Sequence, residues 1–447
     1  MQRLLASVIL PLSCLLCACK EPPADVPGAA DTEVLSDDSL FTLVQERTFR
    51  YFWDGAEPVS GMARERIHLD GVYPDDDRDI VTSGGSGFGI MAILVGIHRG
   101  FITRQEGRER LERMVGWLER ADRFHGMYPH WLDGPSGKVK PFSRYDDGGD
   151  LVESAFLFQG LLCARQYFQA GDPAEQALAA RMDTLWRAAE WDFHRGPDQE
   201  NVLFWHWSPK HGWKMDFRIS GWNECLIAYV LAAASPTHSV PAEVYHQGWA
   251  RGGAIRGEAA PYGLTLALRH NGAEVDGGPL FWAHYSFLGL DPRGLKDQYA
   301  DYWEHNRHHA LSNYRHCVEN PGRFAGYGPA CWGLTASYST RFYAAHRPGE
   351  DLGVVSPTAA LSSFPYTPTE SMAAMRYFYD TLGGSLMGPY GFYDAFSQHV
   401  DWFPRRYLAI DQGPIVVMME NHRTGLLWNL FTSCPEIRRG LATLGFE

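Results

Sequence analysis

Stretches in which apolar residues return every three to four positions run along almost the whole 447-residue chain, and this recurrence restricts its fold more than any other feature. They cover Leu40 to Trp53, Gly87 to Arg99, Arg104 to Arg123, Leu151 to Gln169, Ala174 to Phe193, Trp222 to Ala234 and Pro241 to Arg251. After a long irregular middle come Gly294 to Cys317, Thr369 to Leu382, Gln412 to Asn421 and the stretch from Thr424 onward. Strand-like alternation is scarce and nothing alternates strand with helix, which argues against a doubly wound sheet. About a dozen helices in one domain of ~400 residues predict an all-α fold, six antiparallel pairs wound into an (α/α)6 barrel.

The start of the chain reads differently. Arg3 precedes an apolar stretch from Leu4 to Leu16, and Leu16-Cys17-Ala18-Cys19 has the form of a bacterial lipobox. Residues 1–18 are therefore expected to be a lipoprotein signal peptide, with Cys19 the acylated N-terminus. The apolar stretch is well short of the ~20 residues of a spanning helix. Residues 19–36 hold mostly Pro, Ala and acids, a flexible tether with too little apolar surface to fold alone. One large domain is expected to run from 37 to 447. Contact with the membrane is expected through the lipid only, placing the protein at the outer membrane or in the periplasm, as a monomer. A net charge of −13 with no basic stripe excludes a nucleic-acid partner and fits a neutral one.

Loops between the helices mix aromatic and polar residues: Tyr73 to Asp79, Trp131 to Gly137, Phe204-Trp205-His-Trp207-Ser-Pro209 and Phe392-Tyr393-Asp-Ala-Phe396. Loops held by a rigid scaffold are where sites are built. The chain has fifteen Trp, whose flat faces suit sugar rings, although most are expected to pack the barrel.

Three acidic segments open apolar helices. Arg144-Tyr-Asp146-Asp-Gly-Gly-Asp150-Leu-Val-Glu153 puts Asp150 and Glu153 on one face of a first helical turn. A capping box explains those two, but not Asp146 or so much charge ahead of an inward-facing helix. In Ser220-Gly-Trp222-Asn-Glu224 the acid has no basic neighbour within four residues. Buried beside Trp222, its carboxyl would hold a proton to a higher pH, as a proton donor to a leaving oxygen requires. In Ala409-Ile-Asp411-Gln-Gly-Pro414 an isolated acid again precedes an apolar run. Inner helix starts of a barrel gather at one mouth, so these acids are expected to meet.

Other patterns carry less. Ser83-Gly-Gly-Ser-Gly-Phe-Gly89 lacks the strand and spacing of a nucleotide fingerprint, and Asp75 to Asp79 lacks the Gly and Glu of a calcium loop. His305 and His309 are four apart without an evident third ligand, so a solvated face is expected rather than zinc. No metal or organic cofactor is predicted. Of the cysteines past Cys19, Cys163 and Cys225 read as core residues, while Cys317 and Cys331, in a loop-rich stretch, are the pair that could form a disulfide.

The segments Asp146 to Gly160, Ser220 to Glu224, Tyr262-Gly263-Leu264 and Ala409 to Pro414 resemble the bacterial glucoamylase-like proteins and, among them, glycoside hydrolase family 144, the β-1,2-glucanases. The resemblance implies an (α/α)6 barrel and an inverting reaction on β-1,2-glucan giving sophorose or short oligosaccharides, without a cofactor. It implies Glu224 as general acid and Asp411 as base, with Asp146 a rival base. Asp150, Glu153, Arg144, Trp222, Trp205, Trp207, Tyr262 and Tyr393 are the expected substrate contacts. Two alternatives stay open: a glycan-binding lipoprotein without catalysis, and a glycosidase or transglycosylase acting on another glucan.

Overall fold

Two kinds of helix alternate along the chain, and burial distinguishes them. The computed structural model describes residues 35–73, 77–273 and 275–447, and Asp37–Glu447 form one compact unit. The α-helices of the described residues are α1 (Asp37–Trp53), α2 (Ser83–Arg99), α3 (Arg104–Leu118), α4 (Leu151–Phe168), α5 (Pro173–Arg187), α6 (Leu226–Ala234), α7 (Tyr302–Glu319), α8 (Pro357–Leu361), α9 (Pro368–Arg376), α10 (Gly383–Leu386), α11 (Ala409–Arg423), α12 (Leu426–Ser433) and α13 (Pro435–Leu444). Helices α3 and α5 bury one stripe each, Leu111, Met114, Val115 and Leu118 on the first and Leu178, Met182 and Leu185 on the second. Helices α4, α6, α8 and α11 are buried on nearly every side. A helix apolar all round has no face for water and must lie inside.

The inner helices close on themselves. Helix α2 packs against α4 and α11, α4 against α6, α6 against the short turn Tyr285–Leu288, and that turn, like α8, against α11. Outside them, α1 lies on α2 and α11, α5 on α4, α7 on the Leu280–Ala283 turn and α9 on α8. Outer and inner elements therefore alternate in chain order, which is the expected (α/α)6 winding. The glycines of Ser83 to Gly89 permit a close approach of α2 to α4. A Cβ on Gly87 would stand 2.1 Å from the Phe156 carbonyl oxygen, and one on Gly160 2.2 Å from that of Gly87. Their role is close helix packing.

Short antiparallel ribbons decorate one end. Arg66–His68 pairs with Arg406–Leu408, Ile80–Thr82 with Trp131–Asp133, and Gly149–Asp150 with His206–Trp207. Three of these strands run directly into α2, α4 and α11, so each ribbon fixes where an inner helix begins.

Several expectations change. Helix α6 starts at Leu226, leaving Trp222 to Glu224 in the turn before it, and α7 starts at Tyr302, where the Asp301 side chain accepts the Glu304 N–H. Cys317 and Cys331 are both buried free thiols, not a disulfide. His305 and His309 do not form a solvated face; they are 1% and 0% exposed, and His309 Nε2 bonds the Gly278 carbonyl at 2.9 Å. The aromatic packing of Trp222 draws that face of α7 inward. Cys19, the signal segment, Asp75 and Asp76 lie outside the described residues. No helix among the described residues is long and apolar enough to cross a membrane.

Candidate active site

At the start of α4, Asp150 does two things at once. Its Oδ1 accepts the N–H groups of Val152 and Glu153 at 3.0 and 2.9 Å, capping the helix. Its Oδ2 faces His130 Nδ1 at 3.2 Å and His206 Nε2 at 3.5 Å. The ribbon register sets Asp150 opposite His206, which is why an imidazole stands there. Asp146 Oδ2 lies 3.3 Å from His206 Nε2 and 3.8 Å from His130 Nδ1. Glu153 turns the other way, its Oε2 accepting Gly84 N–H at 2.8 Å and Thr82 Oγ1–H at 3.2 Å.

Charge balances within this cluster. Burial alone would favour a neutral His130, but Glu153, Asp150 and Asp146 outweigh it and push the imidazole up to about 10. Burial acts on His206 in the same sense and is outweighed by Asp146 and Asp150, giving about 9. Ligand atoms of His130, Asp146 and Asp150 come within 4.8 Å of one another, close enough for a cation. Two imidazolium groups already occupy those carboxylates, and a protonated His130 has no lone pair to give. With His130 protonated, the two carboxylates are paired with imidazolium rather than open to a cation.

Beside the cluster opens a cavity of about 350 Å³. Its charged lining is Glu65, Arg66, His130, Glu153 and Glu224, and its rings are Trp131, Phe142, Phe156, Trp205, Phe281, Tyr285, Tyr338 and Tyr343. Arg66 stacks on Trp131 at 5.3 Å and pairs with Asp77 at 3.3 Å. A second cavity, of about 390 Å³, shares Trp205, Glu224 and Phe281 with the first. Glu224 thus stands where the two meet.

Burial pushes the Glu224 carboxyl up to about 7, with a backbone hydrogen bond opposing and the Glu153 charge adding. Its backbone is held by the Ser286 hydroxyl, which donates to the Glu224 carbonyl, and by Asn223 Oδ1, which accepts Cys225 N–H at 2.9 Å. Trp222 packs below, edge to face with His305 at 4.3 Å. Asp411, in the first turn of α11, is buried between cavity-lining Ile410 and the helix core. Burial raises it well above the usual carboxylate range, and the Asp394 and Glu65 charges raise it further. Between these acids the Tyr285 hydroxyl is buried in the cavity wall without a hydrogen-bond partner among the described residues. Burial and the charges of Asp411 and Glu224 keep that phenol protonated.

Of the expected residues, Glu224, Glu153 and Trp205 line the cavity, and Asp146, Asp150 and Asp411 are buried beside it. The other five do not line either cavity. Arg144 is exposed over Tyr145, and Trp207 packs edge-on to Phe193. Trp222 is core. The Tyr262 hydroxyl bonds His316 at 2.9 Å, and the Tyr393 hydroxyl accepts from Arg405 at 3.1 Å. Sequence reasoning missed Glu65, Arg66, His130, His206, Tyr285, Tyr338, Tyr343 and Asp394. His206 and Asp394 stand inside loops whose aromatic and polar mixture marked them. Glu65 and Arg66 sit at a three-residue ribbon with no local pattern.

A carboxyl that keeps its proton near neutrality can give it to a leaving oxygen, and flat rings along a cavity wall suit the apolar faces of sugars. On an (α/α)6 frame these properties define a glycoside hydrolase. A family model named Glycoamylase, described as "Putative glucoamylase", matches residues 216–435. An endo-β-1,2-glucanase from Chitinophaga pinensis, solved with sophorotriose and glucose, is 62% identical, with a TM-score of 0.92 over 93% of this chain and 99% of that one. An exo β-1,2-glucooligosaccharide sophorohydrolase of Parabacteroides distasonis is 44% identical over 92% of this chain, which spans 58% of that longer relative. An endo-β-1,2-glucanase from Talaromyces funiculosus, at 11% identity and a TM-score of 0.61, shares the fold. The chain belongs to the glucoamylase-like family of bacterial β-1,2-glucanases, glycoside hydrolase family 144.

Proposed function

We propose that the protein hydrolyses β-1,2-glucan with inversion, using Glu224 as general acid and Asp411 as base. The observation that carries this is Glu224, a carboxyl without a cation partner among the described residues, at the junction of two ring-lined cavities. A chain lying through both would present a glycosidic oxygen to it. Glu224 gives that oxygen a proton as the bond breaks, and a water attacks the anomeric carbon from the opposite face. Inverting acid–base pairs leave room for that water, their carboxyls ~6.5–9.5 Å apart. Because Asp411 lies behind the cavity surface, it draws the proton through an intervening hydroxyl of the substrate, which permits a longer separation. Asp146, neutralised by His206 and His130, serves instead to hold His130 at the wall.

The linkage rests on the similarity to the Chitinophaga pinensis enzyme across nearly its full length, and that enzyme's endo action is the mode proposed here. Purified protein should release short β-1,2-oligosaccharides from linear β-1,2-glucan, lowering viscosity before disaccharide accumulates, with an initial product of inverted anomeric configuration. Faster release of sugar from starch, or retained configuration, overturns the reading. We further propose that the enzyme is monomeric and anchored through lipid on Cys19.

A further inference from the structure

Asp411 is 2% exposed, yet neither of its carboxyl oxygens receives a hydrogen bond from an N–H or hydroxyl donor among the described residues. Asp394, 3% exposed, is in the same position on one side: its Oδ2 accepts Tyr338 N–H at 2.7 Å and its Oδ1 has no donor. The two carboxyls lie within hydrogen-bonding reach of each other. Ionised carboxylates only accept, so a direct bond between the two needs a proton on one of them.

Both backbones are pinned to keep this contact. Asp394 N–H donates to the Arg406 carbonyl at 2.9 Å, in the strand that leads into α11, and the Ser356 hydroxyl donates to the Asp394 carbonyl at 2.6 Å. From the other side, Gln412, next to Asp411, donates to the carbonyls of Tyr390 and Phe392 at 2.8 and 3.2 Å. The loop carrying Asp394 and the helix start carrying Asp411 are thereby bonded to one another. The groups acting on Asp411 are Asp394 and Glu65, and the Tyr285 and Tyr343 phenols feel its charge. Arg66, in the neighbouring ribbon, is engaged by Asp77 and Glu65.

We infer that Asp394 is part of the base: Asp394 and Asp411 share one proton in the resting enzyme, and the pair takes up the proton of the attacking water. This rests on the assignment of Asp411 as base. In the step, an O–H bond of water breaks and its oxygen bonds the anomeric carbon. The glycosidic C–O bond breaks and its oxygen receives the Glu224 proton. The pair passes from one proton to two, and loss of one to solvent with reprotonation of Glu224 restores the enzyme. Two buried acids holding a common proton titrate as a unit, so the lower pH limit of activity belongs to both.

Asp394→Asn tests this with little change of shape, since the amide oxygen can still accept Tyr338 N–H and the amide nitrogen can donate to Asp411. A lone Asp411 ionises earlier, so the acid limb of kcat/KM on β-1,2-glucan should move down by about one pH unit or more, with KM changing less than ~3-fold. Stability gives a second readout. A folded-state pKa above the unfolded value weakens the fold as pH rises past the unfolded value, so Asp394→Asn and Asp411→Asn should each raise the urea midpoint at pH ~8 and not at pH ~4. An unmoved acid limb, or an equal midpoint change at both pH values, refutes the shared proton. If Asp411→Asn turns over like wild type, the base assignment itself fails. If Asp411→Asn is inactive while the Asp394→Asn limb stays in place, only the pairing is wrong.

Discussion

Replacing Glu224 by Gln removes the transferable proton and keeps the size of the side chain, so it separates chemistry from folding. Burial lifts this carboxyl from 4.5 to about 7. At ~1.36 kcal/mol per pKa unit, the ionised form costs the fold about 3 kcal/mol. The sign follows from the direction of the shift. Below the unfolded value both states hold the proton and nothing is lost; the penalty grows through neutral pH and is complete above the folded value. Urea unfolding should therefore find Glu224→Gln about 3 kcal/mol more stable than wild type near pH 8 and indistinguishable near pH 4. Turnover should move the opposite way. Reducing-sugar release from β-1,2-glucan should fall by ~10²–10⁴, while an aryl β-glucoside with a good leaving group should recover part of that loss. In wild type, the alkaline limb of kcat/KM should lie near pH 7, where Glu224 loses its proton. A variant retaining more than ~10% of wild-type activity on the polymer would refute the acid assignment. A gain in stability that is the same at both pH values would refute the burial argument.

Tyr285→Phe deletes a buried hydroxyl that has no protein partner, so the urea midpoint should hold or rise while kcat/KM falls about tenfold, the worth of one hydrogen bond to substrate; an unchanged kcat/KM would show that the phenol does not touch substrate. Gly87→Ala forces a methyl toward the Phe156 carbonyl and should cost about 1–3 kcal/mol in urea unfolding, with no gain possible from helix propensity alone. Cys19→Ser should move the enzyme from the membrane fraction to the soluble fraction, and continued membrane association would exclude the proposed lipid anchor.

The helical frame and the acids of the mouth can be read from local pattern. Helices α2, α4 and α11 are legible because their apolar residues run all round, a property that a chain can satisfy only by placing them inside. Glu224 and Asp411, each isolated, and Asp150, within a dense acidic cluster, are legible because they stand ahead of such a run, where burial leaves few roles other than capping or chemistry. Trp222 and Tyr262 show the limit of that logic. Both sit in segments that carry the family resemblance, yet one packs under the site against His305 and the other bonds His316 outside it. His305 and His309 look polar and solvated in sequence but are buried, because Trp222 meets them from a turn far away along the chain. The same physics hides the functional partners. His130 and His206 acquire their charge from three carboxylates that only the ribbons bring together. Asp394 has no periodicity to mark it, and meets Asp411 only because its loop bonds the strand entering α11. Local pattern fixes which segments go inside, since burial of an apolar face is a property of each segment alone. Tertiary structure decides which charges face one another, since the strength and sign of that interaction depend on distances between segments that local sequence does not encode.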